Sequence, residues 1–141
     1  MAKIRKREFQ GTSEQVYKVI ANMLRENALA YNKKITKRTK LTNIAYSYGD
    51  NNIISVEVTD AKEFELIEYF TIYNDAEKFI VSFNISDLDN SKTLLSYSSN
   101  LITNTKKMEY NYKLMSFIYA YRQRKAFKHM CNYIEQKLKG E

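Results

Sequence analysis

The feature that most constrains the fold is a change in the spacing of apolar residues near position 40. From residue 40 to residue 102, apolar side chains recur at every second position in five segments separated by turns rich in Asp and Asn. This period is typical of β-strands, and a spacing of roughly ten residues predicts antiparallel hairpins joined in a meander. The segments are TNIAYSY, IISVEVT, FELIEYFTIY, KFIVSFNI and TLLSYSSNLI. We expect them to form a curved sheet.

A helix is predicted before the meander, over residues 13–31. Thr12 and Gln15 stand at the spacing of a capping box, in which each side chain bonds the other residue's backbone amide. Side chains after this box recur at helical spacing and define the expected inner face. These residues are Val16, Ile20, Met23, Asn27 and Tyr31, and Tyr17, Leu24 and Ala28 broaden the face.

A second helix is predicted after the meander, from near Tyr110 to Lys139, with Gly140 as its C-terminal cap. Its second half carries a continuous apolar stripe that we expect to pack in the core. The stripe consists of Phe127, Met130, Cys131, Ile134 and Leu138. The first half breaks this pattern, because the same stripe continues backward through small or polar side chains.

The remaining features predict a single domain over residues 1–141. The chain has no proline and only three glycines, so no flexible linker divides it, and 44% hydrophobic residues suffice for a core. The opening segment KIRKREF alternates weakly around Ile4 and Phe9, which favours a strand with charged side chains. The sequence does not show which strand it pairs with. The sequence shows no leader segment and no long apolar run, and its single cysteine cannot form an internal disulfide. Together these features predict a cytoplasmic protein.

The net charge of +7 is unevenly distributed. Residues 1–41 carry eleven Lys and Arg against three Glu, for +8, whereas residues 42–105 carry three against ten, for −7. Residues 106–141 carry nine against three, for +6. Most tyrosines fall in the acidic middle or at core spacing, away from the cations. This separation argues against nucleic-acid binding, which needs aromatic rings among cations.

The order of one strand, one helix, a long meander and a long terminal helix resembles the START-like superfamily, also called SRPBCC or helix-grip. The C-terminal run RQRKAFKHMCNYIEQKLK, after its aromatics, is similar to small bacterial proteins known as domain of unknown function 3284. This second resemblance depends on Phe117, Tyr121, Arg122, Arg124, Lys125, Phe127, Lys128, Met130, Ile134 and Glu135. The superfamily implies an α+β fold of about six antiparallel strands closed around the last helix, holding hydrophobic ligands between them. The second resemblance implies no activity.

Catalytic and metal-binding patterns are absent from the sequence. His129 is the only histidine and is turned away from the core stripe by helical spacing, which predicts a surface residue. Cys131 lies on the stripe, where a free cysteine usually acts as a small hydrophobe. The glycines are too far apart for a phosphate-binding loop, and no metal-ligand spacing occurs. We therefore expect no enzymatic activity, metal or cofactor.

A ligand cavity is predicted beside the first half of the last helix. Ser116, Ala120 and Gln123 occupy stripe positions where bulky apolar side chains are expected. A buried amide such as that of Gln123 is costly unless it is paired, and water or a ligand would relieve it. We expect a hydrophobic or amphipathic small molecule in this gap.

The third meander strand is expected to contribute to the same cavity. Glu68 interrupts an apolar alternation that includes Phe70, and a carboxylate at this position could orient a polar ligand group. Because an alternation is easily misread by one residue, Ile67 and Tyr69 could instead mark the inner face. Both interpretations of Glu68 and Phe70 are left open.

The opposite side of the last helix predicts a surface for interaction. Phe117 and Tyr121 lie beside four cations, a combination that suits anionic lipid headgroups or a partner subunit. The cations are Arg122, Arg124, Lys125 and Lys128. A solvated basic face beside a core helix is the alternative. The sequence leaves open the ligand, the pathway and the oligomeric state, a homodimer included.

Overall fold

The computed structural model describes residues 4–73, 77–89, 91–102, 106, 110 and 113–140, and only the backbone of Ser116. It confirms an α+β architecture. The elements are β1 (Arg5–Gln10), α1 (Ser13–Tyr31), a 3-10 turn (Leu41–Asn43), β2 (Ala45–Tyr48), β3 (Ile54–Lys62), β4 (Leu66–Tyr73), β5 (Glu77–Leu88), β6 (Lys92–Ile102) and α2 (Ser116–Gly140). The predicted bounds of α1 are confirmed.

The six strands form one antiparallel sheet in the order β1-β6-β5-β4-β3-β2. Strands β2 to β6 are the predicted meander, in which each hairpin neighbour is also a sheet neighbour. The register between β3 and β4 shifts between Val58 and Asp60, an irregularity of the kind that bends a strand. The result is the curved sheet of about six strands that the sequence predicted.

The partner of the first strand, which the sequence left open, is β6. Arg5 lies opposite Tyr97 and Phe9 opposite Thr93, so the N-terminal strand forms one edge of the sheet. Phe9 is 3% exposed, whereas Ile4 is 61% exposed. Arg7 forms an ion pair with Glu135 of α2. The charged strand therefore attaches the terminal helix to the edge of the sheet.

The core lies between the inner face of the sheet and the two helices. On β5 and β6 the inward residues alternate regularly with outward ones, as predicted. They are Phe79, Val81, Phe83 and Ile85 on β5, and Thr93, Leu95, Tyr97 and Ser99 on β6. Phe83 and Leu95 are fully buried.

The predicted inner face of α1 is confirmed in part. Val16 and Ile20 are fully buried as expected, but Asn27 is exposed and Tyr31 is 57% exposed. The buried row passes through the predicted Leu24 and Ala28 and through Ala21, which the sequence analysis did not include. Small side chains let the helix backbone approach the core closely, so this side of α1 faces inward.

The core stripe of α2 is confirmed in its second half. Phe127, Cys131 and Ile134 are buried, and Met130 and Leu138 pack against the same cluster. Gly140, the predicted cap, is the last residue of the helix. In the first half of α2 the exposure rises sharply, and Phe117 is 72% exposed.

The capping box at the start of α1 provides a test of the local sequence analysis. The Thr12 hydroxyl accepts from the Gln15 amide at 3.2 Å, and the Gln15 side chain accepts from the Thr12 amide at 2.9 Å. We expect Thr12→Ala to lower the free energy of unfolding by about 1 kcal/mol, because it removes a partner of a free helix amide. Urea denaturation measures this change. A Thr12→Ser variant, which keeps the hydroxyl, should stay near the parent, and equal losses in both variants would contradict a capping role.

Candidate functional site

A concave pocket of about 610 Å³ lies between the inner face of the sheet and α2. Strands β3 to β6 supply one side, and α2 supplies Tyr119, Arg122, Gln123 and Ala126. Five of the lining side chains are aromatic. They are Tyr69, Tyr73, Phe79, Tyr97 and Tyr119. The pocket lies where the core stripe of α2 gives way to smaller and more polar side chains.

The aromatic side chains pack against each other and so give the pocket a fixed apolar wall. The Phe79 ring meets Tyr73 edge-on at a centroid distance of 5.6 Å and lies 5.8 Å from the Tyr119 ring. Tyr97 stacks on Phe127 of the core at 5.4 Å. Such contacts add to the free energy gained from burial and restrict ring motion. The wall is therefore continuous with the hydrophobic core.

A few polar groups lie among these rings. The Gln123 amide donates to the Ser99 carbonyl oxygen at 3.3 Å, and the Tyr119 hydroxyl donates to the Glu77 carboxylate at 3.2 Å. Arg122 lines the same pocket and is exposed to solvent. The pocket thus combines an aromatic wall with six polar or charged residues: Asn52, Thr71, Glu77, Ser99, Arg122 and Gln123.

Tyr69, Tyr73 and Tyr97 of the pocket remain protonated at physiological pH. Burial is the main cause that raises the pKa of Tyr69, Tyr73 and Tyr97 above the ordinary tyrosine value. For Tyr73, the Arg122 guanidinium acts in the opposite direction. Neutral phenols can each donate and accept a hydrogen bond. The rings of these three tyrosines are therefore uncharged.

The helix residues predicted for the cavity are only partly placed there. Gln123 lines the pocket. The carbonyl oxygen of Ala120 instead accepts from the Arg5 guanidinium at 3.0 Å, and Ala120 does not line the pocket. The Ser116 side chain lies outside the described residues. Of the three predicted stripe residues, Gln123 is the one whose side chain is described as lining this pocket.

The prediction that Glu68 and Phe70 line the cavity is wrong. The inner face of β4 is formed by Ile67, Tyr69 and the residues that follow at the same period, so the alternative interpretation is correct. Glu68 lies on the opposite face, where its carboxylate accepts from Thr59 and Ser82.

On that same outer face, the Lys78 ammonium lies 3.9 Å from the centre of the Phe70 ring. Outer-face apolar residues on β4 cover the stems of such long charged side chains, which explains why the sequence showed apolar residues on both faces.

The residues predicted for the interaction surface are exposed. Phe117 is 72% and Tyr121 is 54% exposed, and the four cations Arg122, Arg124, Lys125 and Lys128 are exposed as well. The Arg124 guanidinium lies 5.7 Å from the centre of the Tyr121 ring. Arg122 belongs to both surfaces, since it also lines the pocket. One helix segment therefore forms a pocket wall and an exposed aromatic and basic face.

Sequence analysis did not identify Tyr73, Phe79, Tyr97 and Tyr119 as lining residues. The signal was present for Phe79 and Tyr97, which alternate with outward residues on β5 and β6. Strand alternation separates inward from outward residues, but it does not reveal where the opposing helix leaves a gap.

Neither His129 nor Cys131 lies in the pocket. His129 is exposed, and Cys131 is fully buried next to Ile134 in the core. Within the described parts of the chain, no three His, Cys, Asp or Glu side chains are grouped as a metal site would require. None of the described helices is both long and apolar enough to cross a membrane.

We expect the Cys131 thiol to react slowly with iodoacetamide in the folded protein. Burial raises the pKa of this thiol to about 11, against the lowering effect of Arg7. At pH 8 the thiolate fraction is then roughly 100-fold below that of an ordinary thiol, and access is blocked as well. Mass spectrometry of alkylated protein, with and without guanidinium chloride, measures the two rates. Equal rates would show that Cys131 is accessible in the folded state.

Fold and pocket together define an α+β protein with a pocket between an antiparallel sheet and its C-terminal helix. The chain belongs to the family described as Domain of unknown function (DUF3284), whose model matches residues 3–120. Of the ten residues that suggested this family, only Phe117 lies within the matched part. No curated protein matches the sequence.

Solved structures of bacterial proteins share the fold at low sequence identity. A protein from Mesorhizobium loti, MLL2253, superposes with a TM-score of 0.62 at 10% identity, covering 98% of this chain and 96% of that chain. A conserved protein from Geobacillus kaustophilus gives 0.61 at 12% identity, covering 97% and 94%. CalU16 from Micromonospora echinospora gives 0.55 at 11% identity, covering 99% and 74%. These similarities establish the fold alone.

Proposed function

We propose that the protein binds a hydrophobic or amphipathic small molecule, lipid-like in character, in the pocket between the sheet and α2. The observation that carries this proposal is a volume of about 610 Å³ beside a wall of five aromatic side chains. Ligand sites are typically concave, largely apolar and about 300–1,000 Å³ in volume, with few polar groups. The volume lies within this range, and eight of the fourteen lining residues are apolar or aromatic.

The position of the polar groups supports an amphipathic ligand. Gln123 and Ser99 lie on opposite sides of the pocket and are joined by a long hydrogen bond of 3.3 Å. A ligand polar group could replace this bond without leaving a buried amide unpaired. The Arg122 guanidinium at the exposed side is suited to a carboxylate or other anionic group. The ligand body would then lie against the tyrosine rings.

The proposed activity is binding without catalysis, in the cytoplasm. Apart from the tyrosines, the ionisable side chains that line the described pocket are Glu77 and Arg122. Glu77 accepts a hydrogen bond from Tyr119. General acid and base catalysis needs two groups whose pKa values differ and that converge on one reacting atom. A guanidinium does not exchange protons at physiological pH, so this pair does not meet that requirement.

We further propose that the fold is the helix-grip of the START-like superfamily. The order of elements, the single curved antiparallel sheet and the long terminal helix across its inner face support this assignment. Many proteins of this superfamily hold ligands between sheet and helix, which is the position of the pocket here.

A fluorescence titration tests the proposed binding. An anilinonaphthalene sulfonate combines aromatic rings with an anionic group and becomes fluorescent in apolar surroundings. We expect saturable binding of one probe per chain to the folded protein, with displacement by long-chain fatty acids. Emission that rises linearly without saturation, or that fatty acids leave unchanged, would remove the support for a defined site.

A second candidate function is docking to an anionic membrane surface through Phe117 and Tyr121. The observation that favours it is the 72% exposure of Phe117, about two helical turns before the exposed cations Arg124 and Lys125. Exposed aromatic rings enter the membrane interface, and adjacent cations attract anionic lipids. A partner subunit would use the same side chains.

Sedimentation with vesicles that contain phosphatidylserine tests this second function. We expect Arg124→Glu with Lys125→Glu to abolish cosedimentation and to leave probe binding in the pocket unchanged. The matched control reverses two cations of the last turn, Lys137 and Lys139. Equal effects of both double variants would indicate a general charge effect and contradict a docking surface at Phe117.

A further inference from the structure

Residues 32–40, here called the basic loop, form a strongly cationic surface away from the pocket. The loop has the sequence NKKITKRTK and contains no carboxylate. Its five cations are all exposed: Lys33, Lys34, Lys37, Arg38 and Lys40. The ion pairs among described residues are Arg7 with Glu135 and Lys18 with Glu14, so none involves the loop. The loop therefore presents an uncompensated positive charge.

The backbone of the basic loop is held in a defined conformation. The Thr36 amide donates to the Thr39 hydroxyl at 2.8 Å, and the Arg25 guanidinium donates to the Thr39 carbonyl oxygen at 2.9 Å. Ile35, the one aliphatic residue of the loop, is 2% exposed and belongs to the core cluster. Preorganisation of this kind lowers the entropy lost when a ligand binds.

Three tyrosines on either side of the basic loop in sequence stack against each other. Tyr31 precedes the loop, and Tyr46 and Tyr48 follow it on β2. We call Tyr31, Tyr46 and Tyr48 the tyrosine stack. The Tyr31 ring lies 5.0 Å from Tyr48 and 6.0 Å from Tyr46, with interplanar angles of 24° and 10°. Tyr31 is 57% exposed.

The junction of loop and stack is fixed by the Asn32 side-chain amide, which donates to the Ala45 carbonyl oxygen at 3.0 Å. The start of the basic loop is thus held beside β2, the strand that carries Tyr46 and Tyr48.

We propose that the basic loop and the tyrosine stack bind single-stranded nucleic acid. Proteins of this class combine cations that track the phosphates with aromatic rings on which bases stack. The sequence argued against this function because most tyrosines lie far from the cations along the chain. Folding removes that objection for Tyr46 and Tyr48, which β2 places beside Tyr31. An anionic membrane fits less well, since the aliphatic side chain of the loop is buried rather than available for insertion.

Fluorescence anisotropy with labelled oligothymidylate tests the proposal in the full chain. We expect binding at low salt, with a slope of log K against log salt between about −2 and −3.5 for three to five phosphate contacts. Lys37→Gln with Arg38→Gln should make the slope shallower by about 1.4, while Lys137→Gln with Lys139→Gln serves as the control. Tyr31→Ala should weaken binding about tenfold without changing the slope, and Tyr31→Phe should retain it.

Three results would overturn the proposal. The first is an absence of oligonucleotide binding at low salt. The second is binding that Tyr31→Ala leaves unchanged, which would assign a purely electrostatic contact. The third is a Lys37 and Arg38 double variant that keeps the parent's oligonucleotide affinity and salt slope but loses binding to phosphatidylserine vesicles, which would assign the loop to a membrane. Circular dichroism confirms that each variant is folded, and the exposure of the changed side chains favours this outcome.

Discussion

Phe83→Ala is expected to lower the free energy of unfolding by about 3–5 kcal/mol. Phe83 is 0% exposed on β5, between the neighbouring strands β4 and β6. Its ring lies 6.0 Å from Tyr69 and 5.3 Å from Tyr97, both of which line the pocket. Removing the ring leaves a cavity that the paired strands on both sides cannot fill by moving inward. Urea denaturation followed by circular dichroism measures the loss.

Phe117→Ala provides the matched control for this large effect. The same side chain is removed, but at a position that is 72% exposed on α2. Surface substitutions away from special features usually change stability by less than about 0.5 kcal/mol, and alanine has a high helix propensity. We assign the core to the inner face of the sheet and place the start of α2 outside it. If Phe117→Ala lowered the free energy of unfolding as much as Phe83→Ala, this assignment would be contradicted.

Thr71→Trp is expected to weaken probe binding in the pocket by at least about tenfold, or about 1.4 kcal/mol. Thr71 lies on the inner face of β4, opposite Phe79 on β5, and lines the pocket. A tryptophan at this position would occupy space needed by the ligand, and tryptophan is well tolerated in strands. The anilinonaphthalene sulfonate titration measures the change in affinity.

Ile72→Trp is the control for the filled pocket, because Ile72 is the next residue on the same strand and points to the opposite face. We expect its affinity for the probe to equal that of the parent. Melting temperatures of both variants show whether the sheet is intact. Parent-like affinity in Thr71→Trp, with the sheet intact, would place the bound probe outside this pocket.

Local patterns predicted the elements of the fold well. The capping box at Thr12 and the alternation on β5 and β6 each depend on residues close in sequence, and both are present in the structure. The buried face of β4 was harder to predict, because apolar residues point to both faces of this strand. Which face is buried depends on the register with β3 and β5, and the sequence of a single strand does not contain that information.

The candidate site was predictable only where it interrupts a regular pattern. Gln123 stood out because it replaces an apolar residue on the α2 stripe, and it lines the pocket. Tyr73 and Tyr119 did not, because each matches an ordinary core or surface position in its own element. Their convergence follows from the curvature of the sheet and the crossing of α2. The same limit concealed the tyrosine stack, whose members are separated by the basic loop.

Native mass spectrometry of the protein purified from its own cells tests the proposed pocket most directly. The account predicts one small amphipathic molecule per chain, released by organic solvent and missing from Thr71→Trp but present in Ile72→Trp. A parent protein that carries no ligand and takes up none from added fatty acids, while Phe83→Ala confirms the core, would contradict it. The space between the sheet and α2 would then be solvent-filled, without a binding role.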